Sequence, residues 1–285
     1  MLGGFFYTII TELVLAAALV TLLLANLGSI TTHKGITSIY LLELNLSELS
    51  IDTVFPSLSD IDSISDLGLD DAYVLGMYGY CQGTGGTTNS TTSDEVVYDT
   101  NFTASSCTHA KPMYVFDPVT FLLDQVNDVA GTELTTSDVN LPSSIENYVK
   151  IAQNLSKATY ITSCIAIGLN FIVLVLTLFI YCCNLGLVSS LGLVEVVAFL
   201  AAIIASGCST GMYVFIETHF NDKLSKYGIH AALSKNYLIL TWVGTVLSAA
   251  AAVLLLANSC FRCCCGGRRR DNFEEEEQFM PIEKL

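Results

Sequence analysis

Four uninterrupted apolar runs decide most of what this chain can fold into. Residues 5–27, 160–183, 187–214 and 237–259 each reach the roughly 20 residues needed to cross a hydrocarbon layer about 30 Å thick. Only a helix satisfies its own backbone in lipid without closing into a barrel, so four spanning helices are expected. The first run lacks a basic flank, exceeds the 7–15 apolar residues of a signal peptide and carries Glu12, which makes it an uncleaved anchor. Hydrophobic residues make up 52% of the chain and charged residues 14%, far from the balance of a soluble domain.

Charge fixes the expected orientation. Arg262 and then Arg268, Arg269 and Arg270 follow the fourth run, which places that end in the cytoplasm by the positive-inside rule. Four crossings then put residues 1–4, the turn 184–186 and the tail 260–285 inside, with a first loop at 28–159 and a second at 215–236 outside. All four acceptor sequons, at Asn45, Asn89, Asn101 and Asn154, fall in the first loop. That loop holds 17 acidic and 4 basic residues. Such a surface argues against nucleic acid and anionic lipid as partners there and for basic ones, while the spans themselves meet the lipid bilayer.

The first loop has the patterning of a folded unit. Tyr40, Leu42, Leu44 and Leu46 alternate as one face of a strand, and residues 72–81 form a second. Residues 83–93 are a flexible Gly, Thr and Ser connection, and 95–99 and 112–116 are the third and fourth expected strands. Asp117 and Pro118 supply an N-cap and a first-turn proline for a helix to about Val129, and Ser143 with Glu146 forms a capping box opening a helix into the second span. Cys81 and Cys107 are the two cysteines of the loop, and an oxidising compartment favours their disulfide.

No catalytic or metal constellation emerges, and no cofactor is expected. His33, His109, His219 and His230 stand in no H-E-x-x-H pattern, and G-x-S-x-G is absent. Cys260, Cys263, Cys264 and Cys265 lack a second ligand pair for zinc, and beside arginines Cys263, Cys264 and Cys265 fit palmitoylation. Glu12, Asn170 and Glu195 are polar groups within spans. Glu12 is expected to snorkel toward the membrane edge. Glu195 is either a functional site or a protonated or hydrogen-bonded packing contact, with Asn170 or Glu12 as its partner. Gly207 and Gly211 permit close helix approach, first of all within the bundle.

Four spans, a large first loop with strand character and Gly76-Met77-Tyr78-Gly79-Tyr80-Cys81 resemble the claudin superfamily and its G-L-W-x-x-C stretch. Tyr78 stands where vertebrate claudins have tryptophan, and 25 residues separate the cysteines, so tight-junction function is not implied. The chain resembles the fungal Sur-seven/PalI family more closely, through Tyr40-Leu41-Leu42, Gly79-Tyr80-Cys81, and Cys107 followed by Tyr114-Val115-Phe116-Asp117-Pro118. The resemblance implies a claudin-like left-handed four-helix transmembrane bundle with a small extracellular antiparallel sheet and helices. It also implies a plasma-membrane organiser of the eisosome type, acting through lateral self-association or other cortical membrane proteins, with a role in cell-wall integrity or membrane stress. A PalI-like sensor or accessory subunit in ambient-pH signalling is the alternative. A pore is weaker still, with only Glu195, Asn170 and Glu12 to line it.

Overall fold

In the computed structural model all four apolar runs are helices. The structure describes residues 2–56, 64–85, 87–92, 95–100, 102–114, 117–130, 135, 144–183 and 188–277. Besides helical turns of a few residues, the helices are α1 (Leu2–Asn26), the shorter α2 (Pro118–Ala130), α3 (Ser144–Cys183), α4 (Val188–Phe215) and α5 (Lys235–Glu277). α1 and α4 both pack against α3 and α5, which closes a ring of four.

Residue size explains the ring. Bulky apolar side chains such as Leu13, Phe171, Phe179, Leu193, Val246 and Val253 point outward, while Ala18, Ala166, Ala198, Ala202, Ala205 and Ala251 are buried between helices. In lipid there is no hydrophobic gain in hiding leucine, so small residues that let backbones approach take the interior.

Two helices overrun the membrane. α3 has 40 residues, about 60 Å at 1.5 Å each, twice the hydrocarbon thickness. Its first turns bury Val149 in the core between the sheet and the helix ends and pack Tyr148 edge-on against Phe215 of α4 at 5.4 Å. α5 continues through the cysteine and arginine stretch to Glu277, so the change in sequence character at 260 is not a break in the backbone. The expected cap at Ser143 lies outside the described residues.

The sheet has five antiparallel strands in the order β6-β3-β2-β1-β7: β1 (Leu42–Asn45), β2 (Ala72–Leu75), β3 (Tyr80–Thr84), β6 (Thr103–Cys107) and β7 (His230–Ala232). A separate hairpin joins β4 (Thr87–Thr92) to β5 (Glu95–Thr100).

Four expectations are corrected here. Residues 72–81 are two strands, because Gly76 to Gly79 turn the chain back: the Gly76 N–H donates to the Gly79 carbonyl at 2.8 Å. The connection 83–93 is largely strand, since Thr and Ser pair readily across a hairpin. The strand expected at 112–116 is absent at 112–114, where Met113 holds φ 53 in a turn, and residues 115–116 lie outside the described ones; 103–107 take the place beside β3. Tyr40 leaves the face of Leu44 and Leu46, because the chain bends at Leu41 before β1 begins.

The main core lies between the sheet and the helix ends. Leu44, Leu46, Leu75, Phe121, Val126, Val149, Met212, Ile216 and Leu233 pack there. Across the sheet, Tyr40, Ala72, Val74, Cys81 and Phe102 form a smaller cluster.

Candidate functional site

The turn between β2 and β3 is where sheet and bundle meet. A Cβ on Gly76 would lie 2.5 Å from the Gly28 carbonyl at the end of the first span, and one on Gly79 would collide with the Thr108 hydroxyl. Glycine is required at both because backbone or side chain already fills the space. Tyr78 packs edge-on against Tyr160 of α3 at 5.6 Å, and Tyr80 packs on Phe121 of α2 at 5.0 Å. The motif thus reaches a span through one tyrosine and the core through the other.

Cys81 and Cys107 are bonded directly across paired positions of β3 and β6, with Cα atoms 4.0 Å apart. Cys81 is fully buried, and its sulfur lies 3.3 Å from the Ser29 carbonyl, so the disulfide also abuts the end of the first span.

Burial sets the acid–base chemistry of this layer. Tyr73 is pushed up to about 12 by burial, and Tyr114 to about 12 by burial and the neighbouring Tyr80. Tyr78 is pushed up to about 12 by burial and then by Cys164 and Tyr160. Tyr40 lies well above the ordinary tyrosine range because it is buried and faces Glu43, whose Oε2 accepts from its hydroxyl at 2.6 Å.

Beneath the sheet a polar seam runs between α4 and α5. Ser206 and Thr245 share a hydrogen bond of 2.8 Å, Ser209 and Tyr237 one of 3.1 Å, and Trp242 Nε1 donates to Thr210 Oγ1 at 3.1 Å. Ser248 donates to Glu195 Oε1 at 2.7 Å, and Asn170 Nδ2 of α3 reaches Ser248 Oγ at 3.5 Å. Interhelical hydrogen bonds of this kind hold spans together in lipid, at an average near 0.6 kcal/mol each.

The expected residues divide accordingly. Asn170 and Glu195 meet through Ser248, which sequence reasoning missed although Thr241, Thr245 and Ser248 recur at helical spacing. Glu12 does not join them and does not snorkel: both carboxylate oxygens are buried without a hydrogen-bond partner. Thr177 lies beside Glu12 but gives its hydroxyl to Val173 and Leu174 carbonyls at 2.8 and 2.9 Å. Gly207 and Gly211 are corrected too. Both are exposed with nothing within 4 Å of a Cβ, so they face away from the bundle rather than into it.

Of the sequons, Asn45 is half-buried with Oδ1 accepting from the Ser47 amide and hydroxyl, Asn89 lies in β4, Asn154 is exposed on α3, and Asn101 lies outside the described residues. Cys263, Cys264 and Cys265 lie on the far stretch of α5. His109 is exposed, and among the described residues no group of three or more His, Cys, Asp or Glu is placed to hold a metal.

A family model described as "SUR7/PalI family" matches residues 7–254, from α1 to the fourth span. The chain belongs to the SUR7/PalI family. It is similar to Protein PUN1 of Saccharomyces cerevisiae, 28% identical over 249 residues that cover 86% of this chain and 88% of that one. It is also similar to the SUR7 family protein pun1 of Schizosaccharomyces pombe, 23% identical over 176 residues, covering 61% of this chain and 55% of that one. No solved structure matches it. In this SUR7/PalI member the matched region therefore takes in the disulfide, the tyrosine turn and the polar seam together.

Proposed function

We propose that the chain is a structural organiser of the fungal plasma membrane that works by lateral assembly in eisosome-like cortical domains, with a role in cell-wall integrity or membrane stress. Its membership of the SUR7/PalI family supports a multi-pass protein of the fungal cortex. The observation that carries the assembly reading is the outward-facing pair Gly207 and Gly211, a place where a second helix can approach the backbone closely without disturbing the fold.

In this reading the sheet is extracellular and both termini are cytoplasmic. The arginines after the fourth span and the four sequons within the first loop support that orientation. The spans form a claudin-like left-handed bundle, loop one is glycosylated at one or more of Asn45, Asn89, Asn101 and Asn154, and acyl chains on Cys263, Cys264 or Cys265 add membrane anchorage. The protein itself performs no catalysis and its partners are lipids, further copies or other cortical membrane proteins.

Live imaging of a tagged chain tests the reading. Static cortical patches that recover slowly after bleaching, and that disperse when Gly207 and Gly211 are both replaced by Leu, are expected. Diffuse signal in the wild-type chain would overturn it and turn attention to an accessory role in ambient-pH signalling.

A further inference from the structure

Glu195 sits where α3, α4 and α5 meet, and its hydrogen bonds do not balance. The side chain is fully buried; Oε1 accepts the Ser248 hydroxyl at 2.7 Å, while Oε2 has no hydrogen-bond partner. Asn170 is equally buried. Its Nδ2 donates to the Ala166 carbonyl at 2.9 Å, which identifies the other amide atom as oxygen, and that Oδ1 has no partner. Ser248 has one proton to give and gives it to Glu195. Three side chains from three helices therefore hold two buried surplus acceptors around one hydroxyl.

Nor does charge balance. No Lys, Arg or His occurs in residues 6–26, 160–183, 187–215 or 236–260. Ser248 faces Glu195 from α5, and Asn170 of α3 reaches it through Ser248; neither is cationic. Glu12 of α1 is the other acid of the described spans, and it lies beside Thr177 instead. A buried carboxylate with neither counter-charge nor full hydrogen bonding is strongly disfavoured, and a site that persists in a packed bundle supplies a positive charge from outside the chain.

We propose that Glu195, Asn170 and Ser248 form a binding site for one monovalent cation, either a proton or a sodium-sized alkali ion. Either one neutralises the single carboxylate and occupies surplus acceptors. A proton on Oε2 turns an acceptor into a donor. An alkali ion takes carboxylate, amide and hydroxyl oxygens, the hard ligands such ions prefer. One carboxylate does not match a divalent ion.

The test is thermal unfolding of the full chain in detergent at constant ionic strength, in sodium chloride or N-methylglucamine chloride, at about pH 5.5 and about pH 8, since a ligand that binds the native state raises its melting temperature. Sodium-specific stabilisation at the higher pH identifies an alkali ion; stabilisation by acid whatever the salt identifies a proton. In either case Glu195→Gln, which carries no charge to neutralise, shrinks the response, and Glu12→Gln, which removes the other buried acid of the described spans, leaves the part that Glu195 supplies. Should Glu195→Gln yield no folded protein, Ser248→Ala decides: it keeps the carboxylate, and the concentration for half the effect rises for an alkali ion, which loses a ligand oxygen, and falls for a proton, because the carboxylate loses the hydrogen bond that favours its charged form. A wild-type chain indifferent to both cations, a response as large in Glu195→Gln as in the wild type, one that vanishes in Glu12→Gln, or one unchanged in Ser248→Ala overturns the proposal.

Discussion

Tyr40 carries its hydroxyl into a dry cluster because Glu43, itself 1% exposed, accepts from it at 2.6 Å. Removing that donor takes a hydrogen bond from a buried acidic side chain. Tyr40→Phe is expected to cost about 1–3 kcal/mol, seen as a lower midpoint in thermal unfolding followed by tyrosine fluorescence. The neighbouring tyrosines make a second prediction. Tyr73, Tyr78 and Tyr114 sit near 12 in the folded chain, and the ordinary value is about 10. Folding therefore favours their neutral forms. The stability they contribute is complete below about pH 10 and is lost from there toward about pH 12. Ultraviolet absorbance titration should show these phenols ionising late, together with loss of the sheet, and ordinary ionisation near pH 10 in an intact fold would contradict it.

Among elements, β7 depends most on one residue outside it. Asn221 donates to the Ala231 carbonyl at 2.8 Å and accepts from the Ala231 amide at 2.9 Å, closing the outer edge of the sheet with a side chain in place of another strand. Asn221→Ala leaves both backbone groups unpaired, and a loss of about 1–3 kcal/mol is expected, with faster amide exchange at Ala231 than in β2. At the opposite edge β6 is held to β3 by the disulfide. Cys81→Ser should lower stability by about 2–4 kcal/mol and retain the protein in the secretory pathway or deliver it without stable patches. A non-reducing peptide map and surface imaging check both halves of that statement; free thiols in the native protein would refute it.

For the whole molecule, sheet and bundle form one unit because loop two supplies a strand to the sheet of loop one. Ser234 at the entry to α5 donates to the Ser38 carbonyl at 2.8 Å, tying the fourth span to the chain leaving the first. The proposed lateral assembly would draw on the outer surface of this unit. Replacing Gly207 and Gly211 by Leu adds side chains where nothing lies within 4 Å, so the melting temperature should stay within the small range of surface changes, about ±0.5 kcal/mol in stability, while cross-linked oligomers decline. A collapse of the monomer fold in that variant would place the glycines in the interior after all.

The sequence by itself determined the spans, since twenty or more apolar residues have one low-energy arrangement in lipid whatever surrounds them. It offered Cys81 and Cys107 as the two cysteines of the first loop, which the structure bonds, and it marked the start of α2 by Asp117, whose Oδ1 accepts the Thr120 amide at 3.3 Å. These are local or chemical rules that act over a few residues. What only the tertiary structure decided lies between segments far apart. His230–Ala232 is too short to declare itself a strand until β1 offers it an edge. Gly76 and Gly79 turn the chain because Gly28 and Thr108, distant in sequence, already occupy the space their side chains would need. The outward face of Gly207 and the meeting of Glu195, Ser248 and Asn170 follow from the rotation of each helix about its axis. Hydrophobicity does not set that angle in spans apolar all round; it follows from contacts with neighbouring helices.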